Sequence, residues 1–272
     1  MYQLPNTEQF VLEMNTSRRY QIMISTPKEE APEEGFPVLF VLDGNAVFAS
    51  ITEAIRLQTR KPHGYRPAIV VAVGYETDEP FHRENRFWDY TVAATADELM
   101  ETPHMEGWPK SGGIEPFLDF IENELIPFVK KKYEVNTSKF ALFGHSLGGL
   151  ATLHTLFTRP RLFQYYIAGS PSIWWKNGYI KGKAKEFLER SKENAGSSAE
   201  VVKVLISVGG NEKEMMIQEA KAMYQHLVEV EQEWLKLELL VMPNTGHVTV
   251  LHPLMTEMLK FFLSDENESI HL

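Results

Sequence analysis

Residues 140–149 read FALFGHSLGG, and within them Gly144-His145-Ser146-Leu147-Gly148 makes a G-x-S-x-G pattern. The run before it, 139–143, is a buried-strand candidate, and 148–158 after it has a helical pattern. Two glycines permit a tight, strained turn from strand to helix, which lifts the intervening serine hydroxyl above a sheet at a helix N-terminus. A merely structural Gly-rich turn is the competing reading. The strand before and helix after favour a nucleophile at Ser146.

Outward from this turn the same alternation recurs. Strands are expected at 19–25, 38–42, 68–73, 139–143, 165–169, 202–208 and 237–242. Runs such as VLFVLD and AIVVAVG are continuously apolar, as strands covered on both faces are. The clearest helix is 114–132, where Ile114, Phe117, Leu118, Ile121, Leu125, Phe128 and Val129 recur at three and four and Lys130, Lys131 and Lys132 close the last turn. Further helices are expected at 148–158, 183–190, 213–230 and 253–263. Strands alternating with helices predict an α/β fold with a mostly parallel central sheet and helices on both faces. The N-terminal pair around Phe10 and Tyr20 reads as an antiparallel edge. No internal repeat or low-complexity linker interrupts the pattern, so one domain over 1–272 is expected. Irregular stretches fall at 28–36, 75–113 and 194–199, and 265–272 reads as a frayed tail. The middle stretch holds Phe81, Phe87, Trp88, Tyr90 and Trp108 and reads as a long functional loop or lid.

Composition limits the function. A chain of 272 residues buries about three quarters of its surface, ample for one large core. A net charge of −10 argues against nucleic acid and anionic membranes as partners. The absence of cysteine excludes disulfides, a thiol nucleophile and thiolate metal sites. The histidines lack the paired spacing with glutamate of zinc hydrolases, so neither a metal nor a cofactor is expected. MYQLPNTEQF has no signal-peptide pattern and no apolar run reaches 18 residues, which predicts a cytoplasmic protein.

A serine nucleophile needs a base. In this chain order it follows the serine, with the acid between them. His154 and His226 fall within helical patterns and His271 in the tail. His145, beside the serine, points away from it. His247, in the turn PNTGHV after the last strand, is the expected base, with His252 as fallback. No aspartate lies between Ser146 and His247, so the acid must be a glutamate. Most glutamates in the interval lie on helical faces, where charge is ordinary solvation. Glu212 and Glu214 follow a buried strand in SVGGNEKE, where this architecture places its site. Glu212 is preferred, Glu214 is the alternative, and a Ser–His dyad without an acid stays open. An oxyanion needs two backbone N–H groups. Leu147 supplies one, and Asn45, in the Asp43-Gly44-Asn45 segment after VLFVL, is the expected second unless that segment is a plain strand-ending turn.

These residues carry a resemblance. FVLDGN, RFWDYT, GGIEPFLDFIENELIPFVKKKY, LFGHSLGG, AGSPSIWW, SVGGNEKE and NTGH occur in the order found in the esterase D-like α/β-hydrolases, across most of 37–260. RFWDYT with SPSIWW is similar to the cytoplasmic esterases of catecholate siderophores, which open the trilactone of enterobactin or bacillibactin. The resemblance implies an α/β-hydrolase fold, Ser146 as nucleophile, His247 as base, Asp43–Asn45 as an oxyanion segment, and a ferric siderophore as the small-molecule ester substrate. A ferric tris-catecholate is a trianion with flat aromatic faces, so its recognition calls for cations and stacking surfaces. Arg83, Arg86, Trp88, Lys110, Trp174 and Trp175 are the candidates. Equally, Trp174 and Trp175 read as lid or core aromatics, and Arg86 as a loop-holding partner of Asp89. A general carboxylesterase and a non-catalytic hydrolase-fold binding protein are the alternatives.

Overall fold

A computed structural model describes residues 3–13, 18–62, 64–99, 107–193, 201–229 and 234–264. Its strands are β1 (Thr7–Glu13), β2 (Arg19–Ser25), β3 (Phe36–Val41), β4 (Ile69–Gly74), β5 (Val135–His145), β6 (Tyr165–Gly169), β7 (Val202–Gly209) and β8 (Leu235–Met242). They form an eight-stranded sheet in the order β1-β2-β4-β3-β5-β6-β7-β8. β1, β2 and β4 pair antiparallel, and all later pairs are parallel. This is the α/β-hydrolase architecture. The antiparallel start matches the expectation from Phe10 and Tyr20, which lie on β1 and β2.

Every residue of β3 and β4 is buried. The reason is coverage of both faces. Successive side chains on a strand point to opposite sides, so Val38 and Phe40 enter one core while Leu39 and Val41 enter the other. The second core is closed by α1 (Gly44–Gln58) and α8 (Leu251–Leu263). The first is closed by α2 (Arg83–Asp89), α3 (Ile114–Phe120), α4 (Ile126–Lys132), α5 (Leu147–Thr158), α6 (Trp175–Glu193) and α7 (Glu214–Val228).

The structure differs from the sequence expectations at four elements. α1 was not expected, yet Val47, Phe48, Ile51 and Ile55 recur at helical spacing and are buried. The 75–113 stretch is not an irregular loop throughout: it contains α2 and a 3₁₀ turn at Asp97–Leu99, and Tyr75, Phe87, Tyr90 and Leu99 enter the first core. The helix expected at 114–132 widens into a π turn at Ile121–Leu125 between α3 and α4. Pro127, at the start of α4, explains the widening, because it has no N–H to give and its ring crowds the carbonyl four residues back. α6 starts earlier than 183 and carries left-handed backbone at Lys176, Asn177 and Gly178, which kinks its first turn. The expectations for 194–199 and 265–272 lie outside the described residues. No helix among the described residues is long and apolar enough to cross a membrane.

Candidate active site

The carboxyl ends of β3, β5, β6, β7 and β8 lie at one edge of the sheet, and each parallel strand there feeds a turn that carries a polar residue. After β5 the chain reverses into α5 through Ser146, whose φ of 60° and ψ of −116° are strained for any residue with a Cβ. Gly144 is required beneath it: a Cβ there would lie 2.2 Å from the carbonyl oxygen of Gly148. Gly144 thus packs directly on the backbone of Gly148, a contact that any side chain at 144 would block.

Ser146 Oγ lies 3.0 Å from His247 Nε2, and His247 Nδ1 lies 2.7 Å from Glu212 Oε2. The Glu212 side chain is fully buried and the His247 side chain is 38% exposed. Burial works to raise the Glu212 pKa, but hydrogen bonds from His247, the Ser170 hydroxyl and the Gly209 N–H outweigh it and hold the carboxyl below its usual range. Ser170 Oγ and Gly209 N donate to Glu212 Oε1 over 2.5 and 2.7 Å, leaving Oε2 for the imidazole. An ionised, fixed carboxylate places the proton of His247 on Nδ1, so Nε2 faces the serine as an acceptor.

Glu214, the alternative acid, begins α7 and accepts instead from Gln218. His252, the fallback base, sits in α8 at 3.3 Å from Ser50 on α1. Neither reaches the serine. The ring of His145 packs 4.8 Å from that of His247. Burial, with the neighbouring His247 as the next cause, pushes its pKa down to about 3, so it is a neutral support.

The segment after β3 approaches the elbow from the other side. Asp43 has a left-handed backbone (φ 53°) and precedes α1, so Asn45 N–H lies in a first helical turn, as does Leu147 N–H in α5. First-turn N–H groups have no acceptor within their helix and are open to an oxyanion. The Asn45 side chain is committed elsewhere: it accepts from Tyr75 N and donates to the carbonyls of Tyr75 and Thr77, tying the end of β4 to this turn.

The expected substrate contacts divide. Arg86 is corrected: it does not pair with Asp89 and is not a rim cation. Its guanidinium grips Asp43 with two bonds, Nε to Oδ1 at 3.0 Å and Nη2 to Oδ2 at 2.9 Å, and is only 12% exposed. It therefore holds the Asp43–Asn45 turn. Trp175 is also corrected. It is 0% exposed, with its indole N–H on the Val92 carbonyl, and has no face left for a ligand. Trp88 is half-buried, with the Arg18 guanidinium 5.8 Å from its ring centre and Gly113 packed against its indole. Arg83 and Lys110 are exposed, and Arg83 donates to the Gly107 carbonyl. Trp174 is half-buried, beside an equally half-buried Trp108 at 6.3 Å between ring centres.

Two features escaped the sequence reading. In SPSIWW the aromatic residues drew notice, yet Ser170 and Ser172 reach the site. They directly follow β6, a position that recommended Glu212 after β7 and could have recommended them. The other feature is a buried polar network next to Asp43. Asp89 accepts from Tyr20 and Tyr75 and pairs with Arg18, while the Tyr90 hydroxyl accepts from Asp43 N. No group of His, Asp or Glu among the described residues could hold a metal ion.

A strained serine elbow facing an imidazole and a buried carboxylate, on this sheet, defines a serine hydrolase of the α/β-hydrolase class. The chain belongs to the Esterase family, whose model, described as "Putative esterase", matches residues 14–243. It is 36% identical to the ferri-bacillibactin esterase BesA of Bacillus subtilis over an alignment covering 100% of this chain and 94% of that protein. It is 39% identical to the siderophore triacetylfusarinine C esterase of Aspergillus fumigatus over 70% of this chain and 63% of that one. Among solved structures, the BES protein from Bacillus cereus superposes with a TM-score of 0.89 at 36% identity, covering 97% of this chain and 98% of its own.

Proposed function

We propose that this protein is a serine esterase that cleaves the ester backbone of a siderophore, with a catecholate trilactone such as bacillibactin or enterobactin, in ferric form, as the substrate class. The observation that carries the reaction type is the directed row from Ser146 through His247 to the buried Glu212. The substrate class is supported by the full-length similarity to a ferri-bacillibactin esterase. The half-buried Trp174 and Trp108, with Arg83 and Lys110 exposed in the 75–113 stretch, offer an aromatic and cationic surface to a flat trianion.

In this reading His247 Nε2 takes the proton of Ser146 as Oγ attacks an ester carbonyl, and the N–H groups of Leu147 and Asn45 receive the oxyanion. The intermediate collapses as His247 passes its proton to the departing alcohol. Water, deprotonated by the same imidazole, then releases the acyl group. Glu212 keeps the imidazole in the required tautomer and stabilises it when charged. Iron belongs to the substrate and takes no part in these steps.

The test is incubation with purified ferric and iron-free trilactones, followed by mass spectrometry. Successively linearised products, absent with Ser146→Ala, are expected. Hydrolysis of p-nitrophenyl butyrate with both trilactones left intact would reassign the protein as a general carboxylesterase.

A further inference from the structure

We infer that Ser172 is a fourth catalytic residue, donating a hydrogen bond from its hydroxyl to Oγ of Ser146 and so assisting the departure of that oxygen from the acyl-enzyme; the inference rests on the proposed serine-esterase reading. Ser172 Oγ lies 3.3 Å from Ser146 Oγ, and its backbone N–H donates to the Ser146 carbonyl over 3.0 Å. Ser172 is 1% exposed, so water does not compete for the contact. Among the described residues its hydroxyl meets no other partner.

Proton counting gives the bond its direction. Each serine hydroxyl holds one proton and two lone pairs. The Ser146 proton is drawn to His247 Nε2, because Nδ1 carries the imidazole proton towards Glu212. Oγ of Ser146 therefore presents only lone pairs to Ser172, and the Ser172 proton must fill the contact. A hydroxyl buried here for packing alone would be left unsatisfied, at the cost of any buried polar group.

The consequence differs between the two half-reactions. In acylation, Oγ gives its proton to His247, bonds to the ester carbon, and the bond from that carbon to the departing alcohol breaks. The Ser172 hydrogen bond already exists in the free enzyme, so little is gained on the way to the transition state. In the acyl-enzyme Oγ is an ester oxygen, a poor acceptor. In deacylation, water gives a proton to His247 and its oxygen bonds to the acyl carbon. The bond from that carbon to Oγ then breaks, and Oγ recovers a proton from His247. Charge grows on Oγ as it leaves, so the donor strengthens there and lowers this barrier selectively.

The test is stopped-flow hydrolysis of p-nitrophenyl acetate by the wild type, Ser172→Ala and Ser172→Cys, with mass spectrometry of the acetylated protein. Cysteine keeps the shape but donates weakly, and it keeps the comparison available should the alanine variant fail to fold. Deacylation is expected to slow about tenfold in Ser172→Ala and by less in Ser172→Cys. Acylation should stay within about threefold of wild type in both. The p-nitrophenol burst then rises towards one per protein and acetyl-Ser146 accumulates. Equal slowing of both half-reactions, or unchanged burst and turnover, would overturn the role of Ser172. Ester hydrolysis that survives Ser146→Ala in the wild-type background would instead overturn the reading beneath it.

Discussion

Ser146 is held in a backbone conformation that costs on the order of 1–3 kcal/mol for a residue with a Cβ. Ser146→Ala keeps that strain and removes only the attacking atom, so ester hydrolysis should fall at least about a thousandfold with the fold retained. Ser146→Gly should be equally inactive yet melt a few degrees higher, because glycine tolerates the positive φ. Calorimetry of the two dead variants separates strain from chemistry, and equal melting points would refute stored strain at the elbow. For the acid, Glu212→Gln should lower kcat by roughly 10⁴, the scale seen when a triad carboxylate no longer fixes the tautomer. Glu214→Gln should leave the rate near wild type, since Glu214 bonds Gln218 on the helix surface. Undiminished turnover in Glu212→Gln would make the enzyme a Ser–His dyad.

At the scale of the element, α2 does work that its sequence disguised. RFWDYT reads as a stretch of loop with spare charge and aromatics. Folded, it sends Arg86 to Asp43, Phe87 and Tyr90 into the core, and Asp89 to Arg18. Arg86→Ala strands a nearly buried carboxylate and should destabilise the protein by about 3 kcal/mol. It should also slow neutral and anionic esters alike, because the turn that carries the proposed oxyanion donor Asn45 loosens. Lys110→Ala, at an exposed position, should raise KM for a trianionic siderophore only, with the effect shrinking as salt is added. Steady-state kinetics on both substrates at two ionic strengths compares them, and an Arg86 effect confined to the anionic ester would restore it to the rim. The adjacent tryptophans divide likewise. Trp175→Ala should cost about 3–5 kcal/mol as a core deletion, whereas Trp174→Ala should leave the melting temperature closer to wild type and weaken binding of aromatic esters.

Across the whole molecule, the sheet joins distant segments into one polar interior whose protonation affects stability. Burial raises the pKa of Asp89 to about 6, against the pull of Arg18, Tyr75 and Tyr20. An unfolded aspartate ionises near pH 4, so between about pH 4 and 6 the native state holds a proton that the unfolded state has lost. Stability from this group is therefore greatest below about pH 4 and declines as pH rises through 6, by about 3 kcal/mol in all. The stability of wild type minus that of Asp89→Asn, from urea unfolding at several pH values, should fall across that interval. A flat difference would show that Arg18 compensates the charge completely.

What the sequence determined by itself was local or periodic in origin. Apolar runs specify strands, spacing at three and four specifies helices, and paired glycines specify the turn at Ser146; each rests on contacts among near neighbours. The choice of a glutamate as acid followed from the absence of aspartate over one interval. Tertiary structure alone decided which glutamate meets His247, that Arg86 takes Asp43 over Asp89, that Trp175 is buried while Trp174 keeps a face, and that Ser172 touches the nucleophile. The strand order brings β3, β5, β6, β7 and β8 side by side, so residues dozens of positions apart become neighbours at one edge. Such pairings depend on register and crossover geometry, and no local pattern in the chain encodes them.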